Sequence, residues 1–198
     1  LKESLAQFNQ VKRSAGIYGP ASSYYAGFIE FSEGDYLTAL ADLRQVEKEE
    51  SYGKVVPYMI AQCLNRVGND EELLNYVNTL ERRAGLQNGP EIRLLAAEAN
   101  YRKGSYATAL EGYKAFLSGK GEKDKGVPYR AGLSAYRSGD FKFANDYLKQ
   151  IASDADSLGR HASYYLGAVY LKQTQKQLAL SAFQAAGSAD LKNEMVRE

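Results

Sequence analysis

Residues 27–46 read GFIEFSEGDYLTALADLRQV, and the spacing inside this stretch decides the fold. Gly34 has the small Gly27 seven positions before it and the small Ala39 five positions after it. Ala39, Leu43 and Val46 stand at i, i+4 and i+7, which is one stripe of an α-helix. Gly34-Asp35 is a turn signal between two helical patterns. Small side chains on either side of it let two helices approach closely, so the stretch predicts a tight helical hairpin.

The same punctuation recurs outward along the chain. Turn glycines fall at Gly34, Gly68, Gly104 and Gly139, with Thr174 in that place a fifth time, at steps of 34 to 36 residues. Small residues precede them at Gly27, Ala61, Ala97, Gly132 and Gly167, and Ala39, Leu73, Ala109, Ala144 and Ala179 follow. The bulky places of the stripe are then filled by Leu43 and Val46, Val77 and Leu80, Tyr113 and Phe116, Leu148 and Ile151, and Phe183 with Ala186. Pro20, Pro57, Pro90 and Pro128 all fall at or near the entrance to a first helix, where proline is tolerated. A fixed period of this length is the mark of a repeat array, in which no single hairpin buries enough surface to fold alone.

These residues resemble the tetratricopeptide repeat (TPR) family. The matches are clearest in Gly34-Asp35-Tyr36 with Ala39, Gly104-Ser105-Tyr106 with Ala109, Gly139-Asp140-Phe141 with Ala144, and Leu166-Gly167 with Tyr170, Ala179 and Phe183. The resemblance implies an all-α fold, a right-handed α-solenoid of stacked helix-turn-helix repeats whose first helices line a concave groove. The parse is 1–19 as the second helix of a preceding partial repeat, then repeats at 20–53, 54–89, 90–124, 125–159 and 160–193, and 194–198 as the start of a following element. In the partial repeat, Phe8 and Val11 take the bulky core places. Two units depart from the pattern. Leu73 replaces the expected alanine in the second, which predicts a wider helix pair; Thr174 replaces the turn glycine in the fifth, which predicts a loop of different shape. The glycine-rich charged stretch from Leu117 to Gly126 predicts an exposed, mobile connection.

Composition narrows function mainly by exclusion. Hydrophobic residues at 44% and charged residues at 25% suit a folded chain, and a net charge of +1 supplies no field to draw it onto nucleic acid or an anionic membrane. The chain has one cysteine, Cys63, and one histidine, His161, too few for a zinc site or an internal disulfide. Cys63 lies two residues after Ala61 and reads as a packed thiol; His161 reads as a surface or capping residue. Gly119-Lys120-Gly121 lacks the Lys-Ser/Thr ending of a phosphate loop. We expect no catalytic residue, cofactor, metal or membrane insertion. The opening at Leu1 reads as a segment of a longer array. Long bacterial arrays of this look are often found in the cell envelope, whereas nothing in these residues separates periplasm from cytoplasm.

The positive signal is tyrosine, 16 residues with no tryptophan. Ten before each turn stand Tyr24, Tyr58, Leu94, Tyr129 and Tyr164; three before it stand Phe31, Asn65, Tyr101, Tyr136 and Leu171. Residues seven apart share one helix face, and the family resemblance turns that face toward the groove. The rings either meet a partner there or pack between neighbouring repeats. Two before each turn runs a second row, Ser32, Arg66, Arg102, Arg137 and Lys172. Cations at a helix C-terminus offset its dipole, and they would also suit an acidic or C-terminal peptide. The two-lysine, two-asparagine carboxylate clamp of chaperone-binding members is not recognisable, because its positions carry Tyr24, Phe28, Met59, Glu91 and Leu95. The expected function is a scaffold for a protein or peptide partner. The alternatives are single-stranded RNA binding by a pentatricopeptide-like array, against which the net charge argues, and a structural spacer in a larger assembly.

Overall fold

At five turns between consecutive helices, spaced 34 to 36 residues apart, the chain passes through a left-handed residue. The computed structural model describes residues 2–12, 16–80, 82–119 and 124–187. Gly34, Gly68, Gly104 and Gly139 have φ of 86°, 75°, 76° and 86°, a region open to glycine at no steric cost. Behind Gly34, the Asp35 amide donates to the Glu30 carbonyl at 2.9 Å; behind Gly139, the Asp140 amide donates to that of Ala135 at 2.9 Å. The side chain after the turn then caps the next helix: Asp35 accepts from the Thr38 amide, Asp140 from that of Phe143, and Asn69 from that of Glu72. The Phe143 amide, followed by the ion pair with Lys114, holds the Asp140 carboxyl below its ordinary range.

The resulting helices are α1 (Lys2–Val11), α2 (Gly19–Glu33), α3 (Tyr36–Val46), α4 (Val56–Arg66), α5 (Asp70–Leu80), α6 (Gly89–Arg102), α7 (Tyr106–Gly119), α8 (Gly126–Ser138), α9 (Phe141–Ala152), α10 (Ser157–Lys172) and α11 (Lys176–Gly187). No strand occurs among the described residues. The four prolines all sit in the first turn of α2, α4, α6 or α8.

The chain divides into two units, Leu1–Ala99 and Asn100–Glu198. In the first, α1 packs on α2, α2 on α3, α3 on α4 and α4 on α5. Its core holds Leu43, Ile60, Leu64 and Leu73, all fully buried, with Val77, Leu80 and Ile92 around them. In the second, α7 packs on α8, α8 on α9, α9 on α10 and α10 on α11, and α8 also touches α10. Leu148, Val169, Ala144 and Ala162 are fully buried there. Where two helices cross, the glycine is required: a Cβ on Gly27 would lie 2.9 Å from Leu43 Cγ, and one on Gly132 would lie 2.9 Å from Leu148 Cγ. α4 and α5 pack on each other, and Leu73 is fully buried in this core.

Four expectations change. Thr174 adopts φ 61° and keeps the turn of the glycine units, with the Thr174 amide donating to Leu171 and the Gln175 amide to Tyr170 at 2.8 Å. The loop therefore does not change shape; a β-branched residue is held in the glycine conformation instead. Leu117, Ser118 and Gly119 are not loop but the last turn of α7, where the Ser118 hydroxyl donates back to the Ala115 carbonyl; Gly126 opens α8. Residues 120–123, Lys120 and Gly121 among them, lie outside the described residues, as do Leu1 and 188–198. Val11 is exposed rather than core, because α1 contributes no buried residue and uses Phe8 to stack on Tyr25 at 5.5 Å. Phe183 and Ala186 are only half-buried, since among the described residues α11 packs chiefly on α10.

Candidate functional site

The tyrosine row starts on the first helix of each pair, and its rings lean on neighbours. In the first unit, Tyr24 of α2 stacks on Tyr52 at 4.6 Å and meets Tyr25 edge-on at 5.3 Å. Phe31 meets Tyr36 edge-on at 5.5 Å. Both, with Tyr58 of α4, are half-buried against the core. In the second unit, Tyr101 meets Tyr106 and Tyr113 at 5.7 and 6.5 Å. Tyr136 of α8 reaches Tyr165 of α10 at 5.7 Å, and Tyr164 lies between Tyr165 and Phe183. Tyr129 is half-buried, and burial, then the neighbouring phenols of Tyr165 and Tyr101, push its hydroxyl above the usual phenol range. Each ring thus splits its surface between a neighbouring element and solvent, offering an edge or a hydroxyl more than a full face.

The basic row behaves differently. Arg66, Arg102, Arg137 and Lys172 are all exposed, each in the last turn of its helix, α4, α6, α8 and α10. Carbonyls at a helix C-terminus carry partial negative charge, so these cations are comfortable there whatever else they meet. Ser32 breaks the row and turns its hydroxyl back to the Ile29 carbonyl. Lys172 has the exposed Leu171 beside it, and α2 exposes Tyr25 and Phe28 to about half their area, so apolar surface accompanies the polar groups on the first helices of both units.

Some residues that shape this face were not found from the sequence. Tyr52 lies in the connection after α3, outside any period. Tyr165 follows Tyr164 directly and falls on the adjacent helix flank, so a row counted at sevens passes over it, although it joins α8 to α10. A third omission is charged: Glu30 of α2 and Asp42 of α3 are 4% and 3% exposed, and Lys12, just after α1, pairs with Asp42. Burial first, and then the charge of Asp42, push the Glu30 carboxyl up to about 7, with Lys12 opposing and Asp35 adding to the rise.

Cys63 is fully buried in the first core, and burial pushes its thiol up to about 11, far from a reactive thiolate. His161 is half-buried in α10, and burial together with Arg160 lowers its imidazole. Among the described residues no group of His, Cys, Asp and Glu could hold a metal ion, and no helix is long and apolar enough to cross a membrane.

No protein-family model and no curated protein matches the chain. Among solved structures it is similar to MamA of AMB-1, with TM-score 0.68, 15% identity, and 86% of this chain covering 98% of that one. MamA from Desulfovibrio magneticus RS-1 aligns with TM-score 0.65 at 14% identity over 88% of this chain and 96% of that chain. MamA of MSR-1 gives TM-score 0.66 and 14% identity over 86% and 96%. Likeness at this identity concerns the backbone, and what it shows is the fold, an all-helical repeat solenoid.

Proposed function

We propose that this chain is a protein-interaction scaffold that holds an extended peptide or a partner helix along the face of its first helices. Exposed cations at the C-terminal ends of those helices would meet acidic side chains or a terminal carboxylate. The half-buried tyrosines beside them would supply rigid edges and hydroxyls. The observation that carries the reading is the contrast between the two rows: Arg66, Arg102, Arg137 and Lys172 are solvent-exposed, while the rings beside them are already half engaged with neighbouring helices. Cations that only offset a helix dipole need no aromatic row alongside, whereas peptide recognition uses both. The division into repeats at 20–53, 54–89, 90–124, 125–159 and 160–193 belongs to this reading, with one contact row per repeat.

The test compares wild type with a variant carrying Arg66→Glu, Arg102→Glu and Arg137→Glu, both used as bait in extract, with retained proteins identified by mass spectrometry. Charge-assisted contacts contribute about 1.5–3 kcal/mol each, so losing even one would weaken a partner at least roughly ten-fold. The expected outcome is a partner held by wild type and lost by the variant, with helical circular dichroism unchanged. A partner retained equally by both would remove the cations from the site. Retention of nothing would favour a spacer. Tight single-stranded RNA binding whose affinity falls steeply with salt would replace the proposal altogether.

A further inference from the structure

The C-terminal end of α5, the connection after it and the first turn of α6 line a cavity of about 600 Å³, open to solvent on one side, within the first unit. Its apolar wall is Val77, Leu80, Leu86, Pro90 and Ile92. Two guanidiniums, Arg83 and Arg93, complete it, and among the described residues no acidic side chain lines it. This size, lining and small number of polar groups are those of small-molecule sites, and the polar groups are of one sign.

The walls are fixed by bonds outside the cavity. Arg83 donates to the Glu47 carbonyl at 2.9 Å and pairs with its carboxylate at 3.3 Å, and the same carboxylate oxygen accepts from the Tyr76 hydroxyl at 2.9 Å. The Gln87 amide donates to the Lys54 carbonyl at 2.9 Å, tying the connection to the one before α4. Gly85 at φ 73° and Asn88 at φ 57° turn the chain around the opening. Arg93 contrasts with Arg83. It is exposed, makes no hydrogen bond or ion pair among the described residues, and folds back so that Nη1 lies 3.8 Å from where a Cβ on Gly89 would be. That places an unpaired cation over the N-terminal turn of α6, where the helix dipole already favours negative charge. Arg83, Arg93 and the first turn of α6 therefore line one cavity together with its apolar residues.

We propose that this cavity binds a small apolar monocarboxylate, its chain against Val77, Leu80, Leu86 and Ile92 and its carboxylate between Arg93 and Arg83. The site is separate from the row of Arg66, Arg102, Arg137 and Lys172 and stands whether or not that row meets a partner. A neutral chain of the same length leaves the Arg93 guanidinium without an anion, while Arg83 keeps its pairing with Glu47, so the site discriminates by charge through Arg93.

The test is methyl-resolved NMR of the full chain titrated with decanoate below its aggregation concentration, with decanol as the uncharged control. Decanoate is expected to move the methyl resonances of Val77, Leu80, Leu86 and Ile92 saturably, with decanol at least about ten-fold weaker. Arg93→Glu should lower decanoate affinity by a similar factor, and Arg93→Gln by less, with the remaining spectrum unchanged in both. Absence of shifts at those four residues, equal response to decanoate and decanol, or an unaltered affinity in Arg93→Glu would each overturn the proposal. Largest shifts at the exposed Leu178 and Leu180 would also overturn it, as surfactant-like coating. A short apolar peptide with a free C-terminus that binds the same methyls more tightly than decanoate would overturn assignment to a small molecule.

Discussion

Glu30 is the residue whose placement has the sharpest consequence. The equivalent positions one period apart are Leu64, Asn100, Ala135 and Tyr170, so a carboxylate stands here where the array elsewhere places an uncharged side chain. Its raised value, about 7, fixes the sign of a pH effect. In the folded chain the carboxyl keeps its proton from the ordinary glutamate range up to near 7, whereas the unfolded chain releases it early. The stabilising contribution is therefore complete below about pH 4.5 and is lost as pH rises through 7. Its size is on the order of 3 kcal/mol. Glu30→Gln keeps the shape of the protonated acid and removes the titration. Urea midpoints should match wild type near pH 4.5 and exceed it at pH 8; parallel profiles for the two proteins would show that Glu30 ionises normally. Periodicity reveals where such a residue lies but not what touches it. Lys12, just after α1, and Asp42 of α3 arrive at no fixed sequence spacing, and the same holds for Tyr165 and Tyr52 beside the tyrosine row. The row was legible as a row. How much of each ring stays exposed depends on packing between elements, which one strand of sequence does not encode locally.

At the level of elements, the turns were the most legible part, because glycine and capping residues act through their own backbone and need no distant partner. Gly34, Gly68, Gly104 and Gly139 all adopt the left-handed conformation, and the prolines mark the first turns of α2, α4, α6 and α8. The errors lie where a local preference met a tertiary demand. Gly119 suggested a break, yet it closes α7, since a terminal glycine costs a helix little. Thr174 suggested an altered loop, yet the packing of α10 against α11 holds it at φ 61°. A β-branched residue in that region stores about 1–3 kcal/mol of strain. Thr174→Gly releases it at the cost of a more flexible unfolded chain, leaving a net gain of roughly 1 kcal/mol. The expected result is a higher melting temperature with unchanged helicity, while Gly139→Thr, made in the reverse sense, should lower it. A Thr174→Gly protein melting below wild type would mean that the hydroxyl contributes more than the strain costs.

Across the whole molecule, stability is held in two places. Leu43, Ile60, Leu64 and Leu73 anchor the first core, and Leu148, Val169, Ala144 and Ala162 the second, each built from contacts between consecutive helices. An array of this kind has nearest-neighbour energetics, so damage should spread to adjacent helices and fade beyond them. Leu64 and Leu148 are both fully buried and separate the two cores well. Truncating either to alanine removes the side chain and leaves a cavity, at about 2–5 kcal/mol. Native-state hydrogen exchange then reads where the loss is felt. Leu64→Ala should collapse protection in α3, α4 and α5 while α8 to α11 exchange as in wild type. Leu148→Ala should do the opposite, releasing α8, α9 and α10 and sparing α3 to α5. If either substitution lowered protection uniformly from α2 to α11, the chain would be unfolding as one cooperative body, and repeat-by-repeat reasoning would give way to that of a single core.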